Sequence, residues 1–238
     1  MKKKIEFHVH TIASKDSMNM RLPIMLICKL KKINCLAITD HNEIKFALKN
    51  KEYFKKHNID VIVGEEIFTS EGEIIGLFLS EKIEPNLTAK DTISAIKKQG
   101  GLVYIPHPYD LKREKTVIKE ETLEKIKNDV DFIEKSNGRN IEKNFSIQQN
   151  LIAEKLNLRK IVGSDAHTLY ELGRNYCLVY DYYKEYLKEN IELATFVEKK
   201  CLKIAHFNTK VVKFIKLIGN GDINGIVRIV RRKITRRK

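Results

Sequence analysis

No stretch of this sequence is both long and apolar enough to cross a bilayer. The longest apolar run, residues 74–79, carries a glycine and falls far short of the roughly 20 residues a spanning helix needs. Cysteine is scarce: Cys28, Cys35, Cys177 and Cys201 are the only four in 238 residues. Their spacing makes neither a disulfide framework nor a CxxC zinc knuckle, so buried free thiols in a reducing cytoplasm are expected. The basic start MKKKIEFHVH leads into no apolar stretch, so no signal peptide is expected either. Internal repeats are absent, and no low-complexity linker precedes Asn208.

What is present is a globular composition. Hydrophobic residues make up 42% and charged residues 32%, enough apolar content to bury a core and to exclude global disorder. The net charge is +14. It is unevenly placed, because residues 203–238 hold eleven of the 45 Lys and Arg against one acid, Asp222. The chain therefore divides into a mildly basic domain, residues 1–202, and a basic helical tail, residues 203–238.

Short apolar, β-branched runs alternate with segments of helical period. Strands are predicted at residues 4–8, 35–39, 60–64, 73–79, 102–106, 130–134 and 160–163. Helices are predicted at 23–33, 43–57, 88–99, 120–128 and 144–156. Pro23 sits at an N1-like position, Thr88 and Asp91 resemble an N-cap box, and Gly100–Gly101 resembles a helix C-cap. Strand and helix in alternation imply a parallel sheet with crossover helices, and seven strands suit a closed or nearly closed α/β barrel. In the tail, residues 219–225 form a turn-rich break. Ile223, Ile226, Val227, Val230 and Ile234 then repeat at helical spacing among seven Lys and Arg.

Five of the seven histidines fall just past predicted strand ends: His8, His10, His41, His107 and His167. His8 and His10, two apart on a strand, share a face. Asp40, Glu65–Glu66, Asn137 and Asp165 also follow strand ends. In parallel barrels that end holds active sites. A lone histidine after a strand is usually a cap or a core residue, and HxH or DxH alone is a weak signal; the combination is not. His57 and His206 lie outside the pattern and need only ordinary structural roles. Imidazole with carboxylate and no thiolate suits Zn²⁺, Mn²⁺ or Fe²⁺. So many ligands exceed one ion's coordination, so two or three divalent ions are implied. Two ions about 3.5–4 Å apart can activate a shared water and clamp attacking and leaving oxygens, which is hydrolysis, most naturally of a phosphoester.

The segments FHVHTIASKDS, AITDHN, VGEEI, GEIIGLFL, IPHP, IEKSNGR and GSDAHTLYELGR run in this order between residues 7 and 174. Jointly they resemble the PHP (polymerase and histidinol phosphatase) superfamily. The segment after GSDAH is similar to that family's short associated C-terminal region, to about residue 202. The resemblance implies a distorted seven-stranded (β/α) barrel with a trinuclear metal site at its strand C-termini. It implies His8, His10, Glu66 and Asp165 as ligands of one ion, and Glu66 as the bridge to a second ion held by His107 and Glu73. Many relatives have His where Glu73 stands, and the change to an anion favours a harder ion such as Mn²⁺. Asp16, His41 and His167 are implied for the third ion. The GxE pattern selects Glu66 over Glu65, which strand alternation points the other way.

With no member of this set missing, an active enzyme is expected. A hydroxide bridging the metals would attack the phosphorus of a small phosphomonoester. Arg139 and Arg174 are candidates for phosphate contact, with Lys15 and Arg21 as weaker ones. Asp40 is a candidate orienter of a ligand histidine or acid for the leaving group. A nuclease or nucleotide phosphoesterase, with the tail recruiting nucleic acid, is the alternative. A non-catalytic binding module is the alternative from another class. The tail itself reads as a solvated or docked helix, or as a helix that lies on nucleic acid or an anionic membrane.

Overall fold

The structure is a computed structural model that describes residues 2–110, 112–113 and 116–222. The amphipathic segment from Ile223 onward lies outside the described residues. The chain runs β1 (Lys3–Val9), α1 (Arg21–Lys31), β2 (Cys35–His41), α2 (Lys45–Lys56), β3 (Asp60–Thr69), β4 (Gly72–Leu77), α3 (Ala89–Lys98) and β5 (Leu102–Ile105). It continues with α4 (Glu120–Ile126), β6 (Phe132–Asn137), α5 (Lys143–Lys155), β7 (Lys160–Gly163), β8 (Tyr176–Val179), α6 (Leu187–Glu192), β9 (Thr195–Val197) and α7 (Lys203–Gly219).

All nine strands belong to one sheet of order β7-β6-β5-β4-β3-β2-β1-β8-β9. The sheet curls into a nearly closed barrel. β8 pairs with the first half of β1 at Lys3–Ile5. The second half of β1 meets the residues after β7, through a Val9–Ala166 bridge and a His10 N–H to Ala166 carbonyl bond of 3.0 Å. The seven expected strands are present, but a uniform seven-unit (β/α) barrel is not. β4 runs antiparallel to both β3 and β5 because only Ser70 and Glu71 separate it from β3, too few for a crossover helix. Gly72, at φ 132°, closes that hairpin against Ile118, where a side chain would collide with backbone. β8 and β9 add two further antiparallel strands.

Local signals hold where their chemistry is specific. Thr88 Oγ1 accepts the Asp91 N–H at 3.1 Å and donates to Asp91 Oδ2 at 2.7 Å. Gly100, at φ 68°, ends α3 by donating to Lys97 O. Pro23 is the third residue of α1 rather than the first, still within the turn whose N–H groups lack helix partners. Cys28, Cys35 and Cys177 are buried free thiols, and Cys201 is half-buried.

Two apolar clusters flank the sheet. One, including Leu36, Ile38, Val103, Ile105 and Ile133, packs against the helices through Ile24, Phe54, Ile96 and Leu123. The other gathers Ile5, Phe7, Cys35, Ala37, Ile62, Leu77, Tyr104 and Phe132 with Leu187 and Ile191 of α6. It fills the interior and is closed by α6.

Candidate metal centre

Strand pleating decides which polar residues meet. In β3, Ile62 belongs to the interior cluster, so Gly64 and Glu66 point inward and Glu65 outward. Glu65 accordingly leaves the centre, and its Oε2 accepts the Ile83 N–H at 2.9 Å. Thr39 and His41 follow the inward Ala37 by the same alternation. β1 departs from it: the pairing with β2 shifts by one residue between Glu6 and Val9. This bulge lets Phe7 stay in the interior cluster while His8 also turns to the same side.

The result is a continuous network of the nine expected ligands. His8 Nε2 lies 3.4 Å from Glu66 Oε1 and 3.8 Å from Asp165 Oδ1. His10 Nε2 lies 3.3 Å from Glu66 Oε2 and 3.4 Å from Asp165 Oδ1. His107 Nε2 is 3.0 Å from Glu66 Oε1 and 3.5 Å from Glu73 Oε2. Asp16 Oδ1 is 3.3 Å from His167 Nε2 and 3.8 Å from His41 Nε2. His41 Nδ1, on the other side of its ring, lies 2.9 Å from Glu66 Oε2. Glu66 thus touches four histidines. Three subsets, His8/His10/Glu66, His41/Glu66/Glu73 and His10/His41/His167, each offer donor atoms within 4.8 Å of one another.

The far nitrogens of three of these rings, His8, His10 and His167, are held from behind. His8 Nδ1 pairs with Glu134 Oε1 at 2.8 Å. Glu134 also accepts from Tyr104 Oη, from the His107 N–H at 2.6 Å and from Asn137 Nδ2 at 2.8 Å. His10 Nδ1 meets Ser14 Oγ at 3.0 Å, and Ser14 Oγ donates to Asp40 Oδ1 at 2.6 Å. Ser14 therefore accepts the His10 proton, which leaves a lone pair on His10 Nε2. His167 Nδ1 lies 2.9 Å from the Asp165 carbonyl. Outward hydrogen bonds of this kind fix ring orientation in metal-binding histidines. The inward atoms His8 Nε2, His10 Nε2 and Asp16 Oδ1 are buried with no hydrogen-bond partner. Buried, partnerless donor atoms converging on one place are what a divalent cation satisfies, so the His/Glu clusters fit a metal site.

The electrostatics are those of a crowded, dry site. Burial works against charge on Glu66, but His41 and His8 hold its carboxyl well below the usual range. Asp165 is likewise held well below against burial, first by Arg113 and then by His8. Burial, reinforced by the Glu66 charge, pushes Glu73 up to about 7. Burial, with His167 and His41 alongside, lowers His10. Two of the cluster residues adopt backbone angles rare for side-chain-bearing residues, His107 at φ 31° and Asp165 at φ 52°. Gly163 has no room for a side chain: a Cβ there would land on Glu134 Oε1 and lie 2.7 Å from His8 Cβ and 2.9 Å from Tyr104 Oη.

Other expectations are placed differently. Neither Arg139 nor Arg174 presents its guanidinium to a cluster carboxylate. Arg139 is buried against Glu171 Oε1, at 3.3 Å, and donates to Thr209 Oγ1 of α7 at 2.7 Å. Glu171 in turn accepts the His167 and Thr168 N–H groups. Arg174 donates to the Lys200 carbonyl at 3.0 Å. Arg21 stacks over Tyr53 on α2. Asp40 spends both oxygens on Thr11 and on Ser14, whose hydroxyl meets His10 Nδ1. The guanidinium that does reach the cluster is Arg113, 2.5 Å from Asp165 Oδ2 and 3.1 Å from Asp110 Oδ2. Sequence reasoning missed Arg113 and Glu134. A glutamate directly after the apolar pair Phe132–Ile133 of a strand was the available signal for Glu134. Arg113, on a long loop, gave none.

The comparisons with known proteins bear on the family and the fold. A family model described as PHP-associated matches residues 149–185, starting ahead of GSDAH rather than after it. An uncharacterized protein of Methanocaldococcus jannaschii is 38% identical over 177 residues, covering 73% of this chain and 69% of the relative. The chain belongs to the PHP family. Two solved structures share the PHP fold. One is a Bacteroides vulgatus two-domain protein containing a predicted PHP-like metal-dependent phosphoesterase, with TM-score 0.63 and 21% identity over 83% of this chain. This chain spans 65% of that protein's length. The other, from Bifidobacterium adolescentis, is named a candidate metal-dependent phosphoesterase, with TM-score 0.56 and 15% identity. It covers 69% of this chain and 87% of its own. At these identities the likeness concerns the PHP barrel itself. Among the described residues no helix is long and apolar enough to cross a membrane.

Proposed function

We propose that this protein is a metal-dependent phosphoesterase that hydrolyses a small phosphomonoester. The observation that carries the reading is the convergence of His8, His10 and Glu66, whose ligand atoms lie within 4.8 Å of one another while His8 Nε2 and His10 Nε2 are buried and partnerless. His8, His10, Glu66 and Asp165 would hold one divalent ion; Glu66, Glu73 and His107 a second; Asp16, His41 and His167 a third. Such ions supply an acidified water and charge neutralisation for phosphoryl oxygens.

The protein's own groups do the rest. Glu134 and the Asp40–Ser14 pair keep the His8 and His10 rings aimed. Arg113, ion-paired to Asp165 and Asp110, would offer its remaining N–H groups and its charge to a phosphoryl oxygen. Arg139 acts through Glu171, which holds the backbone of His167 and Thr168 in place. In this reading residues 1–202 are the catalytic barrel unit and residues 203–238 an appended basic segment.

The test is metal content by mass spectrometry with a substrate screen under Mn²⁺, Zn²⁺ and Fe²⁺. The screen spans sugar phosphates, nucleotides, an aryl phosphate, oligonucleotides and an amide. Bound divalent ions, with turnover of phosphomonoesters that His10→Ala abolishes, support the reading. Turnover of amides or oligonucleotides alone, or full turnover in His10→Ala, overturns it.

A further inference from the structure

α7 is mounted inside out. Its barrel-facing side is largely polar. His206 Nε2 donates to the Arg139 carbonyl at 3.0 Å, Thr209 accepts from Arg139, and Lys216 Nζ donates to the Ile12 and Ser14 carbonyls at 2.8 and 2.7 Å. Asn208 Nδ2 donates to Tyr170 Oη. These partners lie on loops after β1, β6 and β7, so α7 lies across the strand C-terminal end. The opposite side carries Ile204, Phe207, Val211, Phe214, Ile215 and Ile218, all exposed, with Phe207 at 65% and Ile204 at 62%. Spacings of three and four place them in one stripe, about 21 Å long at 1.5 Å per residue. An amphipathic helix normally buries that stripe, and a row this large in water marks a contact surface.

The charges beside the stripe select its occupant. Lys203, Lys210 and Lys213 are exposed along one flank. The sequence from Lys203 to Lys238 has eleven Lys and Arg and one acid, Asp222. A second copy packed on this stripe would bring lysine rows and basic segments together. Folding residues 223–238 back over it would also set cation against cation. Nucleic acid supplies negative charge but no apolar surface to cover six such side chains. A bilayer rich in anionic headgroups supplies both at once. Phe and Ile enter the acyl boundary while lysine stems reach back to the phosphates. We propose that α7 is an interfacial helix that seats this protein on an anionic lipid surface. In that pose α7 lies between the bilayer and the mouth of the barrel.

The test uses the full chain and vesicles of phosphatidylcholine with or without phosphatidylglycerol. The protein is expected to sediment with phosphatidylglycerol vesicles and to release at high salt. Phe207→Glu combined with Ile215→Glu is expected to lower the partition coefficient by about tenfold per side chain, with the melting temperature unchanged because both residues face outward. The native chain has no tryptophan, so Phe214→Trp provides a single reporter. Its emission is expected to shift to the blue with anionic vesicles and to be quenched by brominated acyl chains. The proposal is overturned if the native chain ignores these vesicles or if the glutamate variant binds them as tightly as the native chain. It is equally overturned if the indole emission of the Phe214→Trp variant does not move, or if the native chain is a dimer that the glutamate substitutions split. Retention on an acidic protein or on nucleic acid without vesicle binding also overturns it.

Discussion

In the lower half of the barrel the inward side chains are Ile5, Phe7, Cys35, Ala37, Leu77 and Phe132. In the upper half, from the same strands and their extensions, they are His8, His10, His41, Glu66, Glu73 and Asp165. Both halves are largely shut off from water, His41 keeping 27% of its side chain exposed, but burial has opposite consequences. Below, removing apolar surface from water is the main favourable term in folding. Above, the same removal strips water from ionisable groups, and some of their atoms receive no partner in return. The lower half is therefore a source of stability that holds the upper half in an arrangement costly by itself. A bound cation would turn that cost into affinity.

Substitutions should separate the halves. The largest effect is expected at Glu66, which touches four histidines. Glu66→Gln should reduce turnover about a thousandfold, since metal assistance is worth several kcal/mol. It should also lower bound metal while leaving the melting temperature of the metal-free protein equal or higher. A sharp fall in metal-free stability would mean that the upper half is structural. Phe132→Ala, next in size, should cost about 3–5 kcal/mol in denaturant unfolding as a core cavity does, with metal stoichiometry intact. Loss of metal in folded Phe132→Ala would show the halves to be one unit. Glu134→Gln should weaken metal affinity about 10–100-fold, as loss of a histidine-orienting carboxylate does. Competition with a chelator measures it, and unchanged affinity would remove Glu134 from the site's support.

The smallest effect is expected outside both halves, at Asp131. Burial works against its charge, but Lys188, Lys97 and the Val103 N–H hold its pKa below the usual carboxylate value. A depressed carboxylate stabilises above its unfolded pKa, and that stability is lost as pH falls through the folded one. Both lysines are partly exposed, so Asp131→Asn should cost only about 1 kcal/mol near neutrality. The gap to the native chain should close below the ordinary carboxylate range. Thermal unfolding from pH 7 down to acid measures it, and a gap independent of pH would assign the effect to packing.

Much of this was legible because period and position carry it. β1 to β7 and α1 to α5 each have a run of apolar residues at strand or helix spacing. β8, β9 and α6, only four, three and six residues long, went unread; β8 takes its place by pairing with β1, β9 by pairing with β8, and α6 by capping the interior. β3 was expected to end at Gly64, since two glutamates follow; it continues to Thr69 because Glu66 faces the cluster rather than solvent. The antiparallel course of β4 was hidden because apolar alternation has no direction. At the site, His8, His10, His41, His107 and His167 stood out by their place after strands. Arg113 reaches Asp165 from a loop, and only the folded chain brings it there.

The glycine of the GSDAH motif has one more consequence. Nothing about residue 163 demands flexibility; what matters there is vacancy, filled by a carboxylate oxygen, a histidine carbon and a phenol oxygen from three other strands. Single-step mutation therefore has no gentle path at this position. Alanine, the smallest change available, would already dislodge Glu134 and with it the aim of His8. A mutational library that varies residue 163 alone should return glycine, and varying Glu134 or Tyr104 in the same clone should not by itself restore tolerance, because the contact with His8 Cβ remains.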